Sequence, residues 1–235
     1  MRYLYDPHVH TCQASRCGRS TGAEIAAAYA AAGYAGIIVT DHFLNGWTAV
    51  PAGLPWEERI RIFCSGYEEA RRAGERLGLQ VFLGWEYCDN GSEFLTYGLN
   101  ADWLLEHPDL LSWSTPDYLR AVHRAGGFLS HAHPFRRRPD IPPVRLYPEL
   151  CDAAEVFNGG NGDPSENAGA AWYARQFRLL HTAGSDTHWA GKINPGAMAF
   201  PRRLDSIRDF IGAMRDGEGE IIETAPESLI YNGNR

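Results

Sequence analysis

Short apolar runs alternate with stretches of helical periodicity along most of the chain. The run Tyr3-Leu4-Tyr5 opens a strand that leads into Asp6-Pro7-His8-Val9-His10. Gly36 to Thr40, Gln80 to Glu86, Phe94 to Leu99, Phe128 to His131, Ala153 to Phe157, Leu179 to Ala183 and Ala197 to Phe200 read as further strands. Between them, Thr21 to Glu24 has the form of a capping box opening an alanine-rich helix that stops at Gly33. A second helix is predicted from Pro55 to near Gly78, with Ile60, Phe63, Tyr67 and Ala70 on one face. Others start at Thr115-Pro116-Asp117, ending at Gly126-Gly127, at Asp163-Pro164, and at Asp205, running to Met214.

This alternation favours parallel strands joined by crossover helices, and therefore a barrel or an open doubly wound sheet. The polar residues decide between them. His10, His42, Glu86, His133, Asn158 and Asp186 all fall at predicted strand exits, where a (β/α) barrel builds its active site. We expect an α/β barrel of seven or eight strands forming one domain over residues 1–235.

Composition narrows the function classes. Apolar residues make up 44% and charged residues 22%, which is enough for a sizeable core, and no stretch has the continuous apolar length of a membrane span. A formal net charge of −7 argues against broad binding to extended nucleic acid or an anionic membrane. No charged leader or apolar signal region precedes His8, so the expected location is cytoplasmic. The five cysteines, Cys12, Cys17, Cys64, Cys88 and Cys151, are scattered and contain no CxxC pair, against both a disulfide framework and a zinc ribbon.

The chemistry lies in the histidines. Residues two apart on a strand point the same way, roughly 6.6 Å apart along the chain, so His8 and His10 can converge on one ion. HxH recurs with Thr40-Asp41-His42, Gly84-Trp85-Glu86, His131-Ala132-His133-Pro134 and Ser185-Asp186-Thr187-His188, each in a strand-exit context. Mixed imidazole and carboxylate donors suit zinc, manganese or iron better than an all-oxygen ion such as magnesium.

These ordered motifs resemble the polymerase and histidinol phosphatase (PHP) family of metal-dependent phosphoesterases, from about Tyr3 to Trp189. The resemblance implies a distorted (β/α)7 barrel with two or three divalent ions at its mouth. It implies a first ion on His8, His10, Glu86 and Asp186, with Glu86 bridging to a second ion on His133. Where relatives often place another histidine, before Tyr97-Gly98, this chain has Glu93, an oxygen donor. A third ion would take His42 and His188. Relatives often add an aspartate or histidine shortly after HxH, and Ser15 and Arg16 stand there. Cys17 follows and is either a thiolate ligand favouring zinc or a neutral buried thiol.

Asp41 and His131 are candidates to support the ligands by hydrogen bonds, with direct ligation also open. Arg136 and Arg16 are phosphate-binding candidates, each weighed against a solvated surface role. Asn158 either positions solvent or substrate or stabilises a turn, and Trp47 either stacks on a ring or seals its loop. His107, His123 and His181 lack strand-exit context and read as surface or core residues.

The expected activity is hydrolysis of a small organic phosphate or nucleotide by a metal-bound hydroxide at a di- or trinuclear centre, with Asp186, His188 and Glu86 as the catalytic set. Histidinol-phosphate phosphatase and exonuclease action on short oligonucleotides are variants of this reading. An amidohydrolase and a non-catalytic, metal-stabilised binding module are the alternatives of other classes.

Overall fold

The strand that carries the HxH pair, β1 (Tyr3–Val9), lies between β2 (Gly36–Val39), parallel to it, and β8 (Ala197–Phe200), antiparallel. The computed structural model describes residues 2–139, 142 and 144–224. The remaining strands are β3 (Gln80–Asp89), β4 (Ser92–Tyr97), β5 (Phe128–Ala132), β6 (Ala153–Asn158), β7 (Leu180–Gly184) and β9 (Glu220–Ile222). They form one nine-stranded sheet in the order β7-β6-β5-β4-β3-β2-β1-β8-β9.

The sheet curls until its β7 end meets β1. Asp186 N donates to His8 O at 2.9 Å and His10 N donates to Thr187 O at 2.9 Å, so the exits of the two strands are stitched together. The result is a nearly closed, barrel-like mixed α/β fold.

Strict strand–helix alternation does not hold. β4 is antiparallel to both β3 and β5, because β3 turns back at Asn90-Gly91, where φ is +46° and +96°. Positive φ at both central residues matches the right-handed twist of a two-residue hairpin, and asparagine and glycine are the residues that tolerate it. The helix expected from Pro55 to Gly78 is also divided, into α2 (Trp56–Phe63) and α3 (Ser65–Leu77), by a turn at Cys64.

The other helices are α1 (Gly22–Ala31), α4 (Ala101–Leu105), α5 (Thr115–Arg124), α6 (Pro164–Phe177) and α7 (Ile207–Arg215). The Thr21–Glu24 capping box is present, satisfying two backbone donors at the start of α1. Asp163 caps α6 and Ser206 caps α7 more simply, each side chain accepting one backbone N–H, from Ser165 and Asp209 respectively.

Tyr5, Ile38, Leu95, Tyr97 and Phe128 fill the barrel with Met198, Phe200 and Phe210 beneath them, all with 0% exposure. Each side chain of this size contributes about 1.5–3 kcal/mol on burial. This floor reaches the site directly, since Tyr97 OH donates to Pro7 O at 2.9 Å, one residue before His8. Among the described residues no helix is long and apolar enough to cross a membrane.

Candidate metal centre

Every strand from β1 to β7 delivers a polar side chain to the same rim. His8 and His10 come from β1 and its exit, His42 follows β2, Glu86 is in β3, Glu93 in β4, His133 follows β5, Glu155 and Asn158 are in β6, and Asp186 and His188 follow β7. The β alternation places His8 and His10 on one face as expected, with their Nε2 atoms 3.1 Å apart. Both face Asp186 Oδ1, at 3.5 and 3.2 Å, and the two Glu86 oxygens, at 3.4 and 3.5 Å.

Glu86 is the hub. Its oxygens also lie 3.0 Å from His133 Nε2 and 2.7 Å from His42 Nδ1, and Glu93 sits 3.4 Å from His133 and 3.6 Å from His42. Donor atoms fall within 4.8 Å of one another in four overlapping groups: His8/His10/Glu86, His8/His133/Asp186, His42/Glu86/Glu93 and His10/His42/His188.

The backbone at the rim is strained where it presents ligands. His133 and Asp186 adopt φ of +27° and +54°, which cost non-glycine residues of order 1–3 kcal/mol each. Compensating bonds hold them: His133 N donates to Glu155 Oε2 at 3.0 Å, and Asp186 N to His8 O.

A ring of hydrogen bonds surrounds the donors. His8 Nδ1 is 2.9 Å from Glu155 Oε1. Asp6 accepts from the backbone N–H of His8 and of Ser185, both at 3.1 Å, tying the β1 and β7 exits together. Asp41 accepts from Thr11 and from Ser15 Oγ at 2.6 Å, and Ser15 Oγ lies 3.1 Å from His10 Nδ1. Asp41 therefore supports His10 through Ser15. Burial raises both Asp6 and Asp41 to about 6, against hydrogen bonds that pull them down.

Electrostatics show what the donors need. Burial alone would raise the Glu86 carboxyl, yet the imidazoles of His42 and His8 hold it well below the usual carboxylate range. His8 is conversely pushed well above an ordinary histidine by Glu155, Asp186 and Glu86, in spite of burial. His10, buried and facing His188 and His42, is pushed well below. Glu86 Oε2 and His42 Nδ1 face each other yet have no hydrogen-bond partner among the described residues, although both are buried. Converging unpaired lone pairs of nitrogen and oxygen are what a divalent transition ion satisfies, so these residues fit such a group.

Arg136 joins this cluster. Its Nη2 donates to Asp186 Oδ2 at 2.7 Å and Asn158 Oδ1 at 2.6 Å, and its Nε to Asn161 Oδ1 at 2.8 Å. It also lines a cavity of about 580 Å³ shared with Arg137, Arg138 and Gly160. Cys17 lies beside His188 and His42 but belongs to none of the four donor groups; burial would raise its thiol, and those two imidazoles bring it down to about 7.

Other candidates lie elsewhere. Arg16 is exposed, and its Nε donates to Thr48 O at 2.7 Å, pinning the loop that carries Trp47, itself 63% exposed. His131 does not support a ligand. It faces away from the centre, packed on Phe94 and Tyr173 with both ring nitrogens unpaired among the described residues, and burial lowers its pKa to about 3. His123 pairs with Asp152, and His107 meets Trp103 O, both outside the centre.

Residues 164–218, which include Asp186 and His188, match a family model described as PHP-associated. Among solved structures, a two-domain protein from Bacteroides vulgatus, with a predicted PHP-like metal-dependent phosphoesterase, superimposes with a TM-score of 0.68 at 17% identity over 94% of this chain. The chain spans 64% of that protein's length. A candidate metal-dependent phosphoesterase from Bifidobacterium adolescentis gives a TM-score of 0.57 at 18% identity, covering 88% of this chain and 94% of its own. The chain resembles these proteins in fold. No curated protein matches it. An amidohydrolase from Chromobacterium violaceum, solved with bound sulfate and no metal, shares the fold as well, with a TM-score of 0.55 at 17% identity over 89% of this chain and 96% of its own.

Set against the ligand pattern that the PHP resemblance implies, two positions differ in kind. Glu93 occupies the β4 position with carboxylate oxygens toward His42 and His133, while Ser15 turns its hydroxyl to Asp41 and His10. Sequence reasoning missed Glu155 and Ser15 as partners of the histidines. The one available signal for Glu155 was a lone carboxylate inside the apolar strand Ala153–Asn158.

Proposed function

We propose that the chain is a metal-dependent phosphoesterase that hydrolyses a small organic phosphate monoester or a nucleotide, using two or three divalent ions of zinc, manganese or iron. The observation that carries this reading is the sharing of buried Glu86 between overlapping donor groups, with an unpaired oxygen, beside an arginine held by Asp186. Divalent ions bound there would lower the pKa of a water and neutralise phosphate oxygens.

The chain's own residues supply orientation. Asp186 turns one oxygen to His8 and His10 and the other to Arg136, so a single carboxylate couples the ligands to the guanidinium. Asn158 and Asn161 hold that guanidinium in place, and Nη1 makes no hydrogen bond among the described residues, leaving its two N–H groups for a phosphate. His188 lies at the mouth with its Nδ1 2.8 Å from Asp186 O, which leaves Nε2 for a ligand or substrate. Cys17, beside His188 and His42, is proposed as a thiolate donor to the third ion.

The fold likeness to an amidohydrolase keeps C–N bond hydrolysis as the second reading. Against the form of that chemistry that bridges two ions through a modified lysine, the chain's single lysine, Lys192, is exposed and follows the Ser185-Asp186-Thr187-His188 segment. The test is a panel of histidinol phosphate, nucleoside monophosphates, short oligonucleotides and amide substrates with added zinc or manganese. Phosphate release, abolished in His10→Ala and Asp186→Ala with the fold retained, supports the proposal. Amide cleavage alone moves the second reading to first, and phosphate binding without turnover identifies a binding module.

A further inference from the structure

We propose that Ser15 is a positioning residue, which locks His10 in the tautomer protonated at Nδ1 and so aims an unprotonated Nε2 into the donor cluster. The proposal rests on the metal-centre reading, but its test does not depend on any hydrolytic activity.

Hydrogen-bond accounting assigns the protons. Three groups surround Ser15 Oγ: Asp41 Oδ1 at 2.6 Å, the backbone N–H of His42 at 3.0 Å and His10 Nδ1 at 3.1 Å. A carboxylate only accepts and a backbone N–H only donates, whereas a serine hydroxyl offers one proton and two lone pairs. The Ser15 proton therefore goes to Asp41. One lone pair receives His42 N–H, and the second is left to receive a proton from His10 Nδ1. With Nδ1 protonated, the lone pair of the neutral ring is at Nε2, the atom that faces His8, Asp186 and Glu86.

The same accounting excludes ligation by Ser15. Its proton and both lone pairs are committed, so no electron pair remains for an ion at the position where the resemblance implies a metal ligand. Ser15 is buried, with 1% exposure, so water cannot replace any of these partners without rearrangement. Its backbone is fixed independently, by Ser15 N donating to Thr11 O at 3.0 Å and by a bridge to Thr48. The hydroxyl can thus be removed without dismantling the segment.

Two measurements decide. In the full chain after chelation, long-range proton–nitrogen spectra of 15N-histidine report each tautomer, with His10 assigned through a His10→Gln variant. The expected result is a protonated Nδ1 and an unprotonated Nε2 at His10. In Ser15→Ala this preference is lost and zinc affinity, read by competition with a chromogenic chelator, falls about 10–100-fold. A proton on Nε2 in the wild-type chain overturns the proposal, and that result stands alone should Ser15→Ala fail to fold. Retention of the wild-type tautomer in Ser15→Ala, with zinc affinity changed by less than about two-fold, overturns it as well. Absence of phosphatase activity with the expected tautomer would instead count against the proposed reaction alone.

Discussion

His8 Nδ1 and Glu155 Oε1 lie 2.9 Å apart, both fully buried, and this carboxylate is what fixes the ring that opens the metal centre. Glu155 also accepts from His133 N and Asn158 Nδ2, so one side chain orients three residues of the rim. Replacing it by glutamine keeps the volume but puts an amide donor among these donors. Metal affinity is expected to fall about 10–100-fold in Glu155→Gln, measured by competitive zinc titration, with the circular dichroism spectrum preserved.

Gly184 allows that approach. A Cβ there would lie 2.5 Å from His8 Cβ and 2.6 Å from Glu155 Oε1, and His8 is held on a central strand that cannot retreat. Gly184→Ala is expected to lose on the order of 1–3 kcal/mol through overpacking, even in excess chelator. Gly33→Ala is the contrast: open space surrounds it, and only its φ of +80° opposes a side chain, for ~1 kcal/mol. Denaturant titration of both variants separates the steric cost from the conformational one.

Tyr118 lies under the β3–β4 hairpin as a buried acceptor. Its OH receives Trp85 Nε1 at 2.6 Å and meets Thr96 Oγ1 at 2.6 Å, and all three side chains have 0% exposure. Tyr118→Phe leaves the indole N–H without its partner and should cost about 1–3 kcal/mol in chemical denaturation. A variant as stable as the wild type would show that this network contributes nothing net.

One carboxylate far from the centre gives the stability a pH dependence. Burial would raise Asp152, but His123 Nε2 and Leu129 N, both 2.9 Å from Oδ2, hold it below the usual value. A depressed carboxylate contributes stability that is fully present above the unfolded value of about 3.9 and lost as pH falls toward the depressed value. Asp152→Asn should therefore be less stable than the wild type at neutral pH, with the gap narrowing as pH drops below about 4. A gap that widens on acidification would reverse the sign and refute the assignment.

Much of the site was legible because ligand chemistry is carried by residue type and strand position. His8, His10, His42, Glu86, His133 and Asp186 were singled out at strand exits and Glu93 through the family resemblance, and the barrel brings all of them together. Partners of the ligands were harder to read. Ser15 and Glu155 matter through which ring nitrogen they touch, and that depends on the meeting of β1 with β6 and with the segment after Thr11, which no local pattern encodes. His131 shows the same limit from the other side: in strand register with Ala132 and His133, it turns outward onto Phe94. The antiparallel β4 was misread for a different reason. The Asn90-Gly91 turn was present as a signal, but an expectation of parallel units passed over it.

The central claim is that donors from β1, β3, β5 and β7 share a cluster of divalent ions. The most direct measurement is anomalous diffraction at the zinc, manganese and iron edges from crystals of the chain, with elemental analysis of the same material. Ions within ligating distance of His8, His10, Glu86, His133 and Asp186, and their loss in Asp186→Ala, are the predicted result. A chain that takes up no transition ion, or that binds its ions away from Glu86, contradicts the account.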